Sequence, residues 1–184
     1  MSYSTTQQAS LPFNPGIAFS IDRNDKQLCI REAGGLFRAA TDKEVIDAAL
    51  GITAKACAQG VALCDPRATQ SYLRLRLAEL RYEVFGLIHL DNRHRVLAFD
   101  VLFRGTIDGA NVYPREVVRG VLEKNSAAVI FFHNHPSGVA TPSQADELIT
   151  NRLKEALSLI DVRVLDHIVV GAEGCASFAE QGLL

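Results

Sequence analysis

The sequence is poor in cysteine and has no pairing pattern among the four cysteines it contains. Cys29, Cys57, Cys64 and Cys175 form no C-x-x-C pair, which argues against a zinc ribbon and against a thioredoxin-like redox motif. A buried cysteine behaves as a small hydrophobic residue. We therefore interpret all four as free, mostly buried thiols in a reducing compartment.

Long apolar segments and a one-sided charge are also missing. No segment approaches the roughly 18 uninterrupted apolar residues of a membrane span, and the opening MSYSTTQQASLPFNPG has neither the basic flank nor the apolar run of a secretory signal. We expect no membrane association and a cytoplasmic location. With 19 Lys and Arg against 21 Asp and Glu, the net charge is −2. No global basic field therefore indicates a nucleic acid as partner.

What is present is the composition of an ordinary globular chain. The 184 residues are 48% hydrophobic and 22% charged, enough for one substantial core. Residues 1–24 are polar, and we expect a flexible N-terminal segment there. Residues 25–65 predict a small strand and helix element: KQLCIR is a candidate strand, and Thr41 with Glu44 forms a capping box that starts a helix ending near Gly60.

Residues 66–184 alternate between helical and extended periodicity. RATQSYLRLRLAELRYE and YPREVVRGVLEKN have helical spacing, while EVFGLIHLD and HRVLAFDVLFRG predict a hairpin joined by DNR. AAVIFFHNH and VRVLDHIVVG read as further strands. TPSQADELITNRLKEALSLI predicts a long helix with an apolar stripe that includes Leu148, Ile149, Leu153 and Leu157. This alternation predicts a mixed α/β (α+β) layered domain, a mixed β-sheet flanked by helices.

The stretch HNHPSGVATPSQAD carries the clearest chemistry. His133 and His135 are two residues apart at a strand end, so both side chains point to the same side. Pro142 in a first helical turn would let Thr141 cap the next helix. Ser143 and Asp146 then lie on one face of that helix. Two imidazoles and a carboxylate suit Zn²⁺, and three protein ligands leave a fourth position open, as in catalytic zinc sites.

Each part of this pattern has a simpler explanation when taken alone. A lone histidine in an apolar strand is more often a hydrogen-bonded core residue, and S-x-x-D is a capping pattern shared by many helices. The coincidence of both across one turn favours a metal site. His89, His94 and His167 stand alone and are interpreted as structural. For His167 the alternative of a hydrogen-bond partner to a metal ligand stays open.

The motif resembles the H-x-H-x7-S-x-x-D signature of the JAMM (MPN+) metalloprotease superfamily, and its HNHPSG form is similar to the RadC-like branch. The resemblance covers residues 66–184 and implies a JAB1/MPN-like metallohydrolase domain. It also implies His133, His135 and Asp146 as ligands of one Zn²⁺ ion. Ser143 would orient water or contact the oxyanion, and Glu83 would be the general base. The implied reaction is hydrolysis of peptide or isopeptide bonds in an unidentified protein or peptide substrate.

Longer RadC-like proteins have a helix-hairpin-helix-like region before this domain, and residues 1–65 show no such glycine-centred hairpin, so we expect a shorter variant. A nucleic-acid-binding module with a structural metal is the alternative, in which a patch of arginines would face phosphates. These are Arg67, Arg74, Arg76, Arg81, Arg93 and Arg95. Neither the net charge nor interleaved aromatic residues support it. A zinc nucleobase deaminase is excluded because the H-x-E and P-C-x-x-C pair is absent.

Overall fold

A computed structural model describes residues 19–21, 28–32, 35–56, 60, 62–63, 66–77, 80–105 and 112–184. The chain divides into two units, Met1–Ile52 and Thr53–Leu184. The predicted boundaries near residues 24 and 65 stay predictions. The predicted flexible segment falls mostly on residues outside the described ranges, although the first strand lies inside it.

The first unit contains a small antiparallel sheet and most of a helix. Strands β1 (Phe19–Ile21), β2 (Leu28–Arg31) and β3 (Phe37–Ala39) pair in the order β1-β2-β3. Helix α1 spans Asp42–Ala56. The predicted capping box starts it: the Thr41 amide donates to Glu44 Oε2 at 2.9 Å, and the Glu44 amide donates to Thr41 Oγ1 at 3.3 Å. The strand predicted at KQLCIR is confirmed as β2, whereas β1 and β3 were not predicted.

The second unit contains the larger sheet. Its elements are α2 (Pro66–Leu77), β4 (Val84–Leu90), β5 (Val96–Arg104), α3 (Pro114–Glu123), β6 (Ala128–Asn134), α4 (Gln144–Ser158), β7 (Arg163–Val170), β8 (Cys175–Ser177) and α5 (Phe178–Gln181). The strand order is β5-β4-β6-β7-β8. Strands β6 and β7 are parallel, and the other three pairings are antiparallel. The predicted mixed sheet flanked by helices is therefore confirmed.

Apolar side chains cover both faces of this sheet. On one face, Leu73 and Leu77 of α2 pack with Ile130 and Phe132 of β6. On the other face, α3 and α4 contribute Val117, Val121, Leu153 and Leu157, which pack with Val129 and Phe131. Because successive strand residues point to opposite faces, the odd-numbered positions of β6 face α3 and α4. His133 follows this alternation and is turned toward α4.

One part of the predicted stripe on α4 is wrong. Leu148 is 65% exposed, whereas Thr150, Leu153 and Leu157 are buried. Nine residues separate Leu148 from Leu157, and at about 100° per residue they lie on opposite sides of the helix. Among the described helices, none is long and apolar enough to cross a lipid bilayer.

Candidate metal centre

The two motif histidines lie at one end of the central strand. His133 is the sixth residue of β6 and is buried between β4 and β7, opposite Phe85 on one side and Val169 on the other. His135 follows the strand end and is partly buried. Their Nε2 atoms are 2.9 Å apart. The spacing prediction, that both rings point to one place, is confirmed.

Asp146 meets both rings from the first turn of α4. Its Oδ1 lies 3.3 Å from His133 Nε2, and its Oδ2 lies 3.4 Å from His135 Nε2. One ligand atom from each of the three residues lies within 4.8 Å of the other two. The residues predicted as metal ligands thus form a group that could hold a metal ion.

The connection between β6 and α4 is held tightly. The Gly138 amide donates to the His135 carbonyl at 2.9 Å, and Gly138 has φ +89°, a conformation that favours glycine. A Cβ atom on Gly171 would lie 2.3 Å from the Gly138 carbonyl oxygen, so only glycine allows this approach between the loop and the end of β7. The close contact positions His135 and the start of α4.

The hydrogen bonding of His135 leaves its Nε2 lone pair available to a cation. Its Nδ1 lies 2.8 Å from the Val139 carbonyl, and a carbonyl only accepts, so Nδ1 carries the proton. In the neutral ring, Nε2 is then an acceptor that faces the Asp146 carboxylate. Once protonated, the ring could donate from Nε2 to Asp146, and this partner, opposed by burial, raises the pKa of His135. Acceptors that converge in this way attract a positive charge, as a metal-binding group should.

The surroundings of the Asp146 carboxyl group favour its ionised form. Burial alone would raise its pKa, but the neighbouring His133 and His135 rings, in their protonated forms, outweigh burial and hold the pKa of Asp146 well below its usual range. The side chain therefore stays a carboxylate at any ordinary pH. Carboxylate oxygen and imidazole nitrogen are both common zinc ligands.

Ser143, rather than Thr141, caps α4. The Ser143 hydroxyl accepts from the Asp146 amide at 3.2 Å and donates to Asp146 Oδ2 at 2.6 Å. The Ser143 amide also donates to Oδ2, at 2.7 Å, completing a capping box. The predicted Thr141 cap is wrong because this reciprocal pairing satisfies the helix start two residues later, with Pro142 before the helix. Ser143 therefore contacts a predicted ligand directly.

Glu83, the predicted base, precedes β4 and is partly buried. Phe85 pairs with His133, and the antiparallel register continued by two residues places Glu83 opposite His135. Its charge is close enough to contribute to the raised pKa of His135, after the larger effect of Asp146. The side chain of Asn134, a residue not predicted from the sequence, bonds the backbone here. Its Oδ1 accepts from the Val84 backbone amide at 2.8 Å, and its Nδ2 donates to the Tyr82 carbonyl at 3.1 Å. It holds the backbone on both sides of Glu83.

The remaining histidines separate into two groups. His167 is fully buried on β7 with its Nε2 2.8 Å from His133 Nδ1, so it contacts a predicted ligand. Burial lowers the pKa of His167 well below its usual value. His89 bonds through Nδ1 to Ser126 Oγ at 2.8 Å, and His94 occupies the β4–β5 turn with φ +57°. Neither His89 nor His94 belongs to the His/Asp group.

Thr150 is a further residue that sequence reasoning missed. Its Oγ1 lies 2.6 Å from His167 Nδ1, and the side chain is buried. The available signal was its position four residues after Asp146, which places both on one face of α4. His167, which contacts His133, thus comes from a different strand, and Thr150, which contacts His167, comes from the helix that carries Asp146.

A cavity of about 550 Å³ lies next to His135. It is lined by polar and apolar residues of α2, by Leu80 and by residues of the loops after β6 and β7, among them Arg74, Pro136 and Ala172. Of the three candidate ligands, His135 lines this cavity, whereas His133 is buried. A molecule in the cavity would therefore contact His135.

The arginines of the alternative patch are partly engaged. Arg95 pairs with Asp91 at 2.6 Å, and the Arg76 guanidinium lies 5.7 Å from the centre of the Phe99 ring, within the range of a cation–π interaction. Arg74 lines the cavity next to His135. Nucleic-acid binding by this patch stays a prediction.

Fold and site together define a mixed α+β domain with a His, His and Asp group suited to a metal ion. The profile of a family described as RadC-like JAB domain matches residues 63–183. The chain belongs to the RadC-like JAB domain family, and its five-stranded mixed sheet with flanking helices is consistent with a JAB-like fold.

Several bacterial relatives carry the name UPF0758 protein. The chain is 56% identical to that of Vibrio cholerae over 143 residues, which are 78% of this chain and 90% of the relative. It is 64% identical to that of Nitrosococcus oceani over 126 residues, 68% of this chain and 56% of the relative. It is 51% identical to that of Shewanella amazonensis over 157 residues, which are 85% of this chain and 70% of the relative. The match thus spans only about half of the Nitrosococcus protein.

Proposed function

We propose that the protein is a zinc-dependent hydrolase of peptide or isopeptide bonds that works by the JAMM mechanism. One observation carries the proposal: His133, His135 and Asp146 bring two imidazole nitrogens and a carboxylate oxygen within 4.8 Å of one another. One member of this group, His135, also lines a cavity. Membership of the JAB-domain family supports the same conclusion.

The ligand set favours zinc. Two nitrogens and one oxygen are the types that zinc accepts, and three protein ligands leave a position for water or substrate, as in catalytic sites. When bound, zinc would supply Lewis-acid chemistry, which polarises a carbonyl and lowers the pKa of water from about 15.7 toward 7. Ligands at the end of a strand and the start of a helix are held by the backbone of both elements. We therefore expect the fold not to depend on the ion.

The other two residues would handle protons and charge. Glu83 would accept the proton of the attacking water and later donate it to the leaving amine. The Asn134 amide keeps Glu83 in place by bonding the backbone of Tyr82 and Val84. The Ser143 hydroxyl donates to Asp146 Oδ2, so it would contact a developing oxyanion only by exchanging that partner. Its first role is to orient the Asp146 carboxylate.

The test combines metal analysis with hydrolysis. Protein purified without chelator should contain about one zinc per chain by elemental mass spectrometry, and it should cleave some member of a panel of peptides and isopeptide-linked peptides. A chelator should abolish cleavage, and added zinc should restore it. Absence of zinc from such protein at neutral pH would refute the proposal. Stoichiometric zinc without hydrolysis, together with salt-dependent DNA binding, would favour the nucleic-acid alternative.

Glu83→Gln gives a sharper test of the base. The substitution keeps the shape and removes the proton acceptor, so zinc content and fold should be retained while turnover falls by about 10² to 10⁴. Glu147→Gln is the matched control, because Glu147 is adjacent to Asp146 but points about 100° away on the helix. Near-normal turnover of the Glu83 variant on a substrate that the wild type cleaves would end the assignment.

A further inference from the structure

A line of hydrogen bonds begins at the backbone of α4. Thr150 Oγ1 lies 2.6 Å from the Asp146 carbonyl oxygen, which can only accept, so the hydroxyl proton of Thr150 is directed at that carbonyl. The Thr150 oxygen still lies 2.6 Å from His167 Nδ1. With its own proton already used, this oxygen can only accept there. His167 must therefore carry a proton on Nδ1.

The direction of this bond determines the next one. A neutral imidazole with its proton on Nδ1 has an acceptor at Nε2. His167 Nε2 lies 2.8 Å from His133 Nδ1, so His133 donates through Nδ1. The Nε2 atom of His133 is then left with a free lone pair. That atom is the one that faces His135 Nε2 and Asp146.

Aromatic side chains hold the middle of the line. The ring centre of His167 lies 5.5 Å from that of Phe85, 5.8 Å from that of Phe131 and 4.7 Å from that of Phe178. These apolar neighbours enclose the ring and offer its nitrogens no acceptor. Its hydrogen bonds are thus directed along one line, to Thr150 on one side and to His133 on the other.

We propose that Thr150 and His167 are positioning residues that keep the proton of His133 on Nδ1 and so present its Nε2 lone pair to the metal. This inference rests on the proposed zinc site and adds to it. An imidazole alone can carry its proton on either nitrogen, and only one form can bind through Nε2. The line also starts at the main chain of Asp146, so it connects two of the three ligands.

Two variants of Thr150 isolate the hydroxyl. Thr150→Val keeps the branched shape but cannot accept from His167, so His167 loses the bond that determines its proton position. Its proton can move to Nε2, which would then donate to His133 Nδ1 and place the His133 proton on Nε2. Thr150→Ser keeps the hydroxyl. Zinc affinity, measured by competition with a chromophoric chelator, should fall about 10-fold to 100-fold in the valine variant and stay within about threefold in the serine variant.

A second measurement does not depend on metal binding. In the metal-free protein, ¹⁵N NMR shifts of the ring nitrogens report which nitrogen of each histidine carries a proton. Wild type and Thr150→Ser should show His133 with the proton on Nδ1, and Thr150→Val should show a population with it on Nε2. His167→Phe, which removes the acceptor but fills the space, should weaken zinc binding similarly. His89→Gln removes another buried histidine and should leave zinc affinity unchanged.

The outcomes separate this inference from the proposed function. Equal zinc affinities in the valine and serine variants, or a wild-type His133 with its proton on Nε2, would overturn the inference while leaving a zinc site intact. A wild-type protein that binds no zinc would refute the proposed function. The NMR comparison would then still decide whether Thr150 and His167 control the proton on His133.

Discussion

Replacing Ser143 with alanine separates two roles that the structure assigns to one hydroxyl. The hydroxyl caps α4 by accepting from the Asp146 amide at 3.2 Å, and it donates to Asp146 Oδ2 at 2.6 Å. Ser143→Ala removes both bonds. The amide of residue 143 still donates to Oδ2, at 2.7 Å in the wild type, so Asp146 keeps one of its two partners from this residue.

The expected magnitude follows from these contacts. Loss of an N-cap costs about 0.5 to 2 kcal/mol. A hydrogen bond to a charged group contributes about 1.5 to 3 kcal/mol, and Ser143 is solvent-exposed, so water replaces part of it. We expect the free energy of unfolding to fall by about 1 to 3 kcal/mol. Zinc should stay bound, because the three ligands are unchanged.

The assay is urea unfolding of the metal-free protein, combined with zinc content and turnover on any substrate that the wild type cleaves. If Ser143 also contacts the oxyanion or the attacking water, turnover should fall by about 10² to 10³. Thr41→Ala is the matched control, because Thr41 and Glu44 make the same three hydrogen bonds at the start of α1. It should remove a helix cap without changing zinc content or turnover.

Two results would refute this reasoning. A Ser143→Ala protein as stable as the wild type would show that the capping box contributes nothing, against the observed geometry. A protein that is less stable but turns over normally would restrict Ser143 to a structural role and remove it from the catalytic assignment. Ser143→Thr keeps the hydroxyl and should retain most of both properties.

Two further predictions concern the metal ligands and a distant histidine. His133→Ala, His135→Ala and Asp146→Ala should each weaken zinc binding by orders of magnitude. Circular dichroism should stay native-like, since the apolar core does not involve the ion. Cooperative unfolding of the protein on chelation would contradict this prediction. Burial lowers the pKa of His89, beside Asp100 and Lys124, so the folded protein takes up this proton less readily than the unfolded chain. Stability should therefore fall as pH decreases below the unfolded pKa of about 6.5. The free energy of unfolding of His89→Gln, which cannot titrate at this position, should depend less steeply on pH when measured by urea unfolding. An equally steep pH dependence in the variant would exclude His89 as the cause of the pH effect.

The sequence determined the features that depend on neighbouring residues. Alternating and helical periodicity predicted β4, β5, β6, β7 and the helices between them. Two histidines two apart in a strand must share a side, so His133 and His135 could be paired without a structure. Asp146 could be added because it follows at the start of the next helix. The group formed by these three side chains was therefore predictable in its members.

Tertiary structure decided everything that depends on which strands pair and in what register. The position of Glu83 near His135 follows from the antiparallel register of β4 on β6, and local periodicity carries no information about register. His167 reaches His133 because β7 pairs in parallel with β6. Thr150 reaches His167 because α4 packs on the face of the sheet toward which His167 points. Hydrogen-bond direction along this line exists only once these three elements meet, since each proton position is determined by the partner on the next element.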